Sequence, residues 1–232
     1  MAALVPEELH TAPGVSLAIG YRPTADRLGG DFYDVIAIDD GNLFIIGDVA
    51  GHGLEAARVM ASMRSYLRAL GFEHGDPATM LGVANGLLVD DPRADLVTVA
   101  VARWHGPSRT LAVANAGHVA PLLRPPSGPI VTVGTDRGPI LGSFDDSTYP
   151  VTEVAVAPDS MLLLYTDGLV ERRAGDLAED TRKLAERWEG EPVPTMPDAL
   201  IDRLMSPVDP DPRDDVAVMA ISLGMFGTTE PG

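Results

Sequence analysis

The chain has 232 residues, no cysteine and a formal charge of −17, with 34 acidic against 17 basic side chains; this length can bury a sizeable core without disulfides. The missing cysteines exclude thiolate zinc sites and cysteine nucleophiles, and they suit a reducing cytoplasm, the expected location. The negative field repels nucleic acid and anionic lipid, and it would repel a phosphorylated substrate as well, so phosphate chemistry here calls for local cations.

The opening MAALVPEELH has neither a basic n-region nor a long apolar stretch, so it does not read as a signal peptide. Alternation at Val15, Leu17, Ile19 and Tyr21, after the Pro13-Gly14 turn signal, predicts a half-buried strand. Two further strands, 31–38 and 43–48, flank Asp39-Asp40-Gly41-Asn42, a composition that suits a hairpin loop. Residues 53–70 change to helix formers, and a second helix is predicted from Asp76-Pro77, an N-cap followed by proline, to Val89. Residues 96–156 are rich in β-branched side chains broken by turn signals and predict several strands. A strand at 161–166, helices at 177–188 and 197–205 and a last strand at 216–223 complete the series. No apolar run approaches the roughly 20 residues of a membrane-spanning helix. The absence of βαβ alternation favours an α+β fold with largely antiparallel sheets, expected as a single domain over residues 1–232.

Carboxylates recur at the predicted strand ends. Leu43-Phe-Ile-Ile-Gly-Asp48 runs into Val-Ala-Gly-His-Gly53, and Met161-Leu-Leu-Leu-Tyr-Thr-Asp167 runs into Gly168. Asp214-Asp215 leads into Val-Ala-Val-Met-Ala-Ile. Crowded carboxylates are unfavourable unless a cation sits between them, and an all-oxygen donor set suits magnesium or manganese rather than zinc. Asp31, in Gly29-Gly30-Asp31-Phe-Tyr-Asp34, is a fourth candidate, the glycines permitting close approach of backbone. Taken singly each signal is weak, since Asp-Gly is also a common turn dipeptide and Gly-His-Gly serves as a helix entry.

The ordered set is more specific. Leu4-Val-Pro, Tyr21-Arg-Pro, Gly29-Gly-Asp-Phe-Tyr-Asp34, Gly47-Asp-Val-Ala-Gly-His-Gly53, Asn115-Ala-Gly-His118, Thr166-Asp-Gly-Leu-Val-Glu171 and Asp214-Asp-Val-Ala-Val218 resemble the SpoIIE/RsbU branch of the PPM (type 2C) protein phosphatases over nearly the whole chain. The resemblance implies an α/β/β/α sandwich, two mainly antiparallel sheets flanked by helices. It implies two manganese or magnesium ions, with Asp48 bridging, the Val49 carbonyl ligating one ion, Asp167 and Asp214 completing the other, and Asp31 serving the first directly or through water. Val49 stands where many relatives have glycine, a departure that a carbonyl ligand tolerates.

Asp48, Asp31, Asp167 and Asp214 are thus the implied catalytic set, activating water against a phosphoserine or phosphothreonine ester. His52 and His118 are weighed as proton donors and read instead as loop-shaping residues. Arg22, Arg27 and Arg213 are the basic residues nearest the motifs and read mainly as surface charge. Only one of Asp214 and Asp215 is expected to face the metals, by strand alternation, and the family position favours Asp214. The implied substrate is a STAS-domain anti-sigma factor antagonist in bacterial partner-switching. An upstream sensor or a separate partner would supply control, and the isolated chain is expected to be weakly active without added manganese. Two other classes compete. A non-catalytic PPM-fold binding module would show loss of a metal aspartate, and a metal-dependent nuclease would need a basic groove that the charge argues against.

Overall fold

Ten strands and four helices follow one another in a computed structural model that describes residues 9–24, 29–91, 95–170, 176–189, 196–208 and 214–224. After β1 (Val15–Arg22) come β2 (Phe32–Ile38) and β3 (Gly41–Val49), joined by a tight turn at Asp39-Asp40. Gly53, at φ +92°, a conformation that favours glycine, admits the chain to α1 (Leu54–Glu73). Asp76 caps α2 (Pro77–Val89), accepting from the Thr79 N–H at 2.8 Å. The strand-rich middle supplies β4 (Val97–His105), β5 (Thr110–Ala116), β6 (Leu122–Arg124), β7 (Val131–Thr132) and β8 (Val151–Ala155). Then follow β9 (Ser160–Tyr165), a single 3-10 turn at Asp167–Leu169, α3 (Leu177–Glu189), α4 (Pro197–Met205) and β10 (Val216–Leu223).

The strands form two sheets, β1-β10-β9-β6-β7 and β2-β3-β4-β5-β8, and every ladder between named strands is antiparallel. The facing sides enclose one core, in which Phe44, Ile46, Trp104, Leu162, Leu164 and Met219 meet. On the outer side of the β2-to-β8 sheet, Leu43, Ile45 and Val101 pack with Met63 and Leu67 of α1 and Met80 of α2. On the outer side of the other sheet, Leu163, Tyr165 and Val218 pack with Leu184 and Trp188 of α3 and Leu200 and Leu204 of α4. This is the α/β/β/α sandwich that the sequence implied. Because both faces of its sheet are covered there, β9 is buried along its whole length and reads Ser-Met-Leu-Leu-Leu-Tyr, a nearly continuous apolar run, where a half-exposed strand would alternate, as β8 does.

Asp34 is 1% exposed, and one of its oxygens accepts from Arg68 of α1 at 2.6 Å and from the Val35 N–H, tying the helix to β2. Removing the guanidinium leaves that carboxylate buried without a counter-charge. Arg68→Met is expected to lower stability by about 2 kcal/mol, below the roughly 3–5 kcal/mol of a fully buried pair, since solvent reaches the half-exposed arginine. The shift in denaturant midpoint checks this; an unchanged midpoint would show the pair to be idle.

The two sheets share a polarity. Phe32 pairs with Gly47, Tyr165 with Val218 and Arg22 with Val216, and the Thr166 hydroxyl reaches Asp31 at 2.7 Å, so these ends lie at one pole. Val15 pairs with Leu223 at the other pole, where Arg109 donates to the carbonyls of Val156, Leu223 and Gly224 and so joins the two sheets. No helix among the described residues is long and apolar enough to cross a membrane.

Candidate metal centre

All the aspartates that the sequence picked out come from the first pole. Asp31 precedes β2, Asp48 lies near the end of β3, Asp167 opens the 3-10 turn after β9, and Asp214 and Asp215 precede β10. An antiparallel pair puts the start of one strand beside the end of its neighbour, so each sheet delivers two of these segments to the same edge.

Gly30 makes the closest approach. A Cβ on it would stand 2.3 Å from the Val49 carbonyl oxygen and 2.8 Å from an Asp48 carboxylate oxygen. The Gly30 carbonyl in turn accepts from the Val49 N–H at 3.3 Å. The glycine pair therefore admits backbone to the site. The Val49 carbonyl and the Asp48 carboxylate lie side by side against it.

The electrostatics of the cluster are those of unneutralised carboxylates in a tight space. Burial first, then the neighbouring Asp167 and Asp214, push the Asp48 carboxyl up to about 7. Asp31 is buried and held well above the ordinary carboxylate range, by desolvation and then by Asp48, while the hydroxyl bond from Thr166 pulls the other way. Asp215 adds to the repulsion on both. The donor chemistry fits a hard divalent cation: four aspartates and a main-chain carbonyl, all oxygen. Among the described residues, however, no three carboxylate or imidazole side chains close around a single point, so the fit rests on convergence and donor type.

The histidines divide. His52 is exposed on the loop after Asp48. His118 is buried, and its titration is pushed down to about 4, chiefly by burial, so it is neutral at physiological pH. Its Nδ1 bonds the Thr98 hydroxyl at 2.8 Å, and the Tyr165 backbone near the ring pulls its titration the other way. Asn115 accepts from the His118 N–H at 2.7 Å and donates to the His118 carbonyl, and Gly117 takes φ +70°. The Asn-Ala-Gly-His segment is thus a built turn. It braces β4 beside Asp48, whose carbonyl lies 3.5 Å from the Thr98 hydroxyl. Of the basic residues weighed above, Arg22 donates to the Val208 carbonyl. Arg27 and Arg213 lie outside the described residues, as do Leu4-Val-Pro and Glu171.

Residues 39–224 match the family described as Stage II sporulation protein E (SpoIIE). The chain belongs to this family of PPM-type serine/threonine phosphatases. Among its SpoIIE-type relatives, phosphoserine phosphatase RsbP of Bacillus subtilis (strain 168) is 27% identical over 170 residues, which cover 69% of this chain and 42% of RsbP. The crystal structure of the RsbU and RsbW domains of Rv1364c from Mycobacterium tuberculosis superposes with TM-score 0.80 at 27% identity, covering 92% of this chain and 61% of that one. The catalytic domain of the serine/threonine phosphatase PstP, solved with two manganese ions, shares the fold at TM-score 0.62 and 15% identity, covering 90% of this chain and 97% of that one. The chain spans less than half of RsbP, so it matches one part of that protein.

Sequence reasoning passed over the side chains that brace this SpoIIE-family site. Thr166 is fully buried; its hydroxyl donates to Asp31 and accepts from the Ala217 N–H at 2.9 Å. Tyr21 and Thr24 donate to Asp215. A threonine lodged between an apolar strand and its terminal aspartate was the one local hint. Asp214 and Asp215 both precede β10, so strand alternation does not set their directions; Asp215 is buried, Asp214 is exposed, and both act on Asp48.

Proposed function

We propose that this chain is a metal-dependent phosphoserine/phosphothreonine phosphatase domain whose metals are held by Asp31, Asp48, Asp167, Asp214 and the Val49 carbonyl. The observation that carries the reading is the meeting of four strand-end segments, two from each sheet, at one pole, with the Gly30 backbone pressed against Asp48 and Val49. Two manganese or magnesium ions bound there would neutralise the phosphate and activate a water for attack on the ester. The residues' own part is to bring the acceptors together and orient them, the cations supplying the charge that ionises them. Thr166 fixes the orientation of Asp31, and the β3 ladder fixes that of Asp48 and Val49. His118, neutral and already bonded, stays out of proton transfer.

The substrate reading is a STAS-domain anti-sigma factor antagonist in a bacterial partner-switching circuit, in the cytoplasm. It is supported by the likeness to RsbP and to a chain that joins RsbU and RsbW domains. The whole of residues 1–232 is taken as one such domain. Phosphate release from phosphoserine peptides and from phosphorylated STAS proteins, with and without manganese, tests both levels. Release independent of manganese would sink the metal assignment, and release from peptides but not STAS proteins would sink the substrate.

The site also has a pH signature. Asp48 titrates at about 7 in the metal-free fold, above its ordinary 3.8, so a proton must leave before a cation can bind. By linkage, a folded pKa above the unfolded one contributes stability that is full below about 4 and is lost as pH rises from there to about 7. The metal-free chain is expected to lose stability over that rise. Manganese should restore more at pH 8 than at pH 6, its apparent affinity falling about tenfold per pH unit for each proton displaced below the pKa. Thermal melts at both pH values, with and without manganese, check this. Equal stabilisation at the two would contradict it.

A further inference from the structure

Asp215 touches each of the three segments that carry Asp31, Asp167 and Asp214, and it does so through its carboxylate, its carbonyl and its N–H. Its carboxylate accepts from the Thr24 N–H at 2.9 Å, the Thr24 hydroxyl at 3.2 Å and the Tyr21 hydroxyl at 3.3 Å. The same carboxylate lies so close to Gly29 that a Cβ there would stand 1.1 Å from its Oδ2. Gly29 and Gly30 lead directly into Asp31. The Asp215 carbonyl oxygen lies against Gly168, whose Cβ would stand 2.1 Å away, and Gly168 follows Asp167. Its N–H donates at 2.9 Å to the Asp214 carboxylate.

We infer that Asp215 is a positioning residue, holding the segments of Asp31, Asp167 and Asp214 in mutual register without itself gripping a metal. The inference rests on the metal-dependent reading above. Among the described residues the donors to its carboxylate are neutral, two of them hydroxyls and one a backbone N–H, so these contacts need an acceptor oxygen and not a negative charge. An asparagine would present its Oδ1 to Thr24 and its amide to the Tyr21 oxygen. A ligand role demands the opposite, because a neutral amide is a poor substitute for a carboxylate on a hard cation. The two roles therefore part on one substitution.

The test is calorimetric titration of manganese into the metal-free full chain at pH 8, for the unaltered protein, Asp215→Asn, Asp215→Ala, the double variant Tyr21→Phe/Thr24→Val and, as the ligand-loss reference, Asp48→Asn. Asp215→Asn is expected to bind within about threefold of the unaltered chain, the worth of one imperfect hydrogen bond. Asp215→Ala should bind about 10–100-fold more weakly, the usual cost of losing a group that orients ligands. The double variant keeps the carboxylate and removes two of its donors; it should lose about tenfold. Should Asp215→Ala fail to fold, Asp215→Asn and the double variant still decide.

Three results would overturn the inference. If Asp215→Asn loses as much affinity as Asp48→Asn, Asp215 is a ligand. If Asp215→Ala or the double variant binds as tightly as the unaltered chain, Asp215 positions nothing. If the unaltered chain binds no manganese, the metal-dependent reading falls and this one falls with it.

Discussion

Asp48→Asn is expected to abolish phosphatase activity and, in the same molecule, to raise the melting temperature of the metal-free chain. The activity loss should be on the order of a thousandfold, about 4 kcal/mol of transition-state stabilisation, because Asp48 is the proposed bridge between the cations. The stability gain has a separate cause. Asp48 is raised to about 7 by burial and by Asp167, Asp214 and Asp215 around it, so ionising it in the metal-free fold works against the structure. An amide of the same shape removes that repulsion.

The gain should be full at pH 8, shrink as pH falls from about 7, and be small only near pH 4, where the folded and the unfolded chain both hold the proton. A gain of about 1 kcal/mol corresponds to roughly 2–4 °C for a chain of this size. Calorimetric scans of both proteins without metal, set beside manganese-dependent phosphate release, measure the two effects. A variant that melts lower at pH 8 would mark Asp48 as a structural residue instead.

Gly30→Ala should disable the site by a steric route. The added methyl would stand 2.3 Å from the Val49 carbonyl oxygen, 3.0 Å from the Val49 nitrogen and 2.8 Å from Asp48. Two of those are backbone atoms of a strand laddered on both sides, and they cannot swing aside as a side chain does. Gly30 is not among the glycines with positive φ, so the penalty comes from the neighbours and not from the backbone angles. The expected outcome is a fall of at least about tenfold in manganese affinity, with a stability loss of about 1–3 kcal/mol from overpacking.

Gly82→Ala and Gly86→Ala, inside α2, are the controls, since nothing stands within 4 Å of a Cβ at either. Each should stabilise by about 0.5–1 kcal/mol through helix propensity alone and leave manganese binding unchanged. Were Gly30→Ala to behave like these controls, the packing of backbone against Asp48 and Val49 would have no bearing on the site.

Local pattern made much of this molecule legible. The α2 boundaries follow from Asp76-Pro77 at one end, and β10 follows from an apolar run after paired aspartates. The strand-end aspartates were legible because strand, carboxylate and turn are neighbours along the chain. What escaped is what the sheets bring together from afar. Thr166 meets Asp31 across 135 positions, and Tyr21 meets Asp215 across 194. Neither pairing leaves a trace in any window of sequence. Asn42 escaped for the same reason. Its neighbours Asp39-Asp40-Gly41 suggest a loop, yet it is a fully buried strand residue that accepts from the Ala12 N–H at 2.9 Å and donates to the carbonyls of His10 and Ile36. The hairpin is tighter than its composition suggested, with the turn confined to Asp39-Asp40.

The pairing of Val15 with Leu223 gives the molecule a practical orientation. The first strand begins and the last strand ends on the side where Arg109 stitches the sheets, while the aspartates crowd the opposite side. The outermost strand ends thus serve as a handle and the carboxylate edge as a working face. Coupling to a bead, a sensor chip or a fluorescent protein beyond either of those strands begins from the handle side, so immobilised binding assays suit this fold.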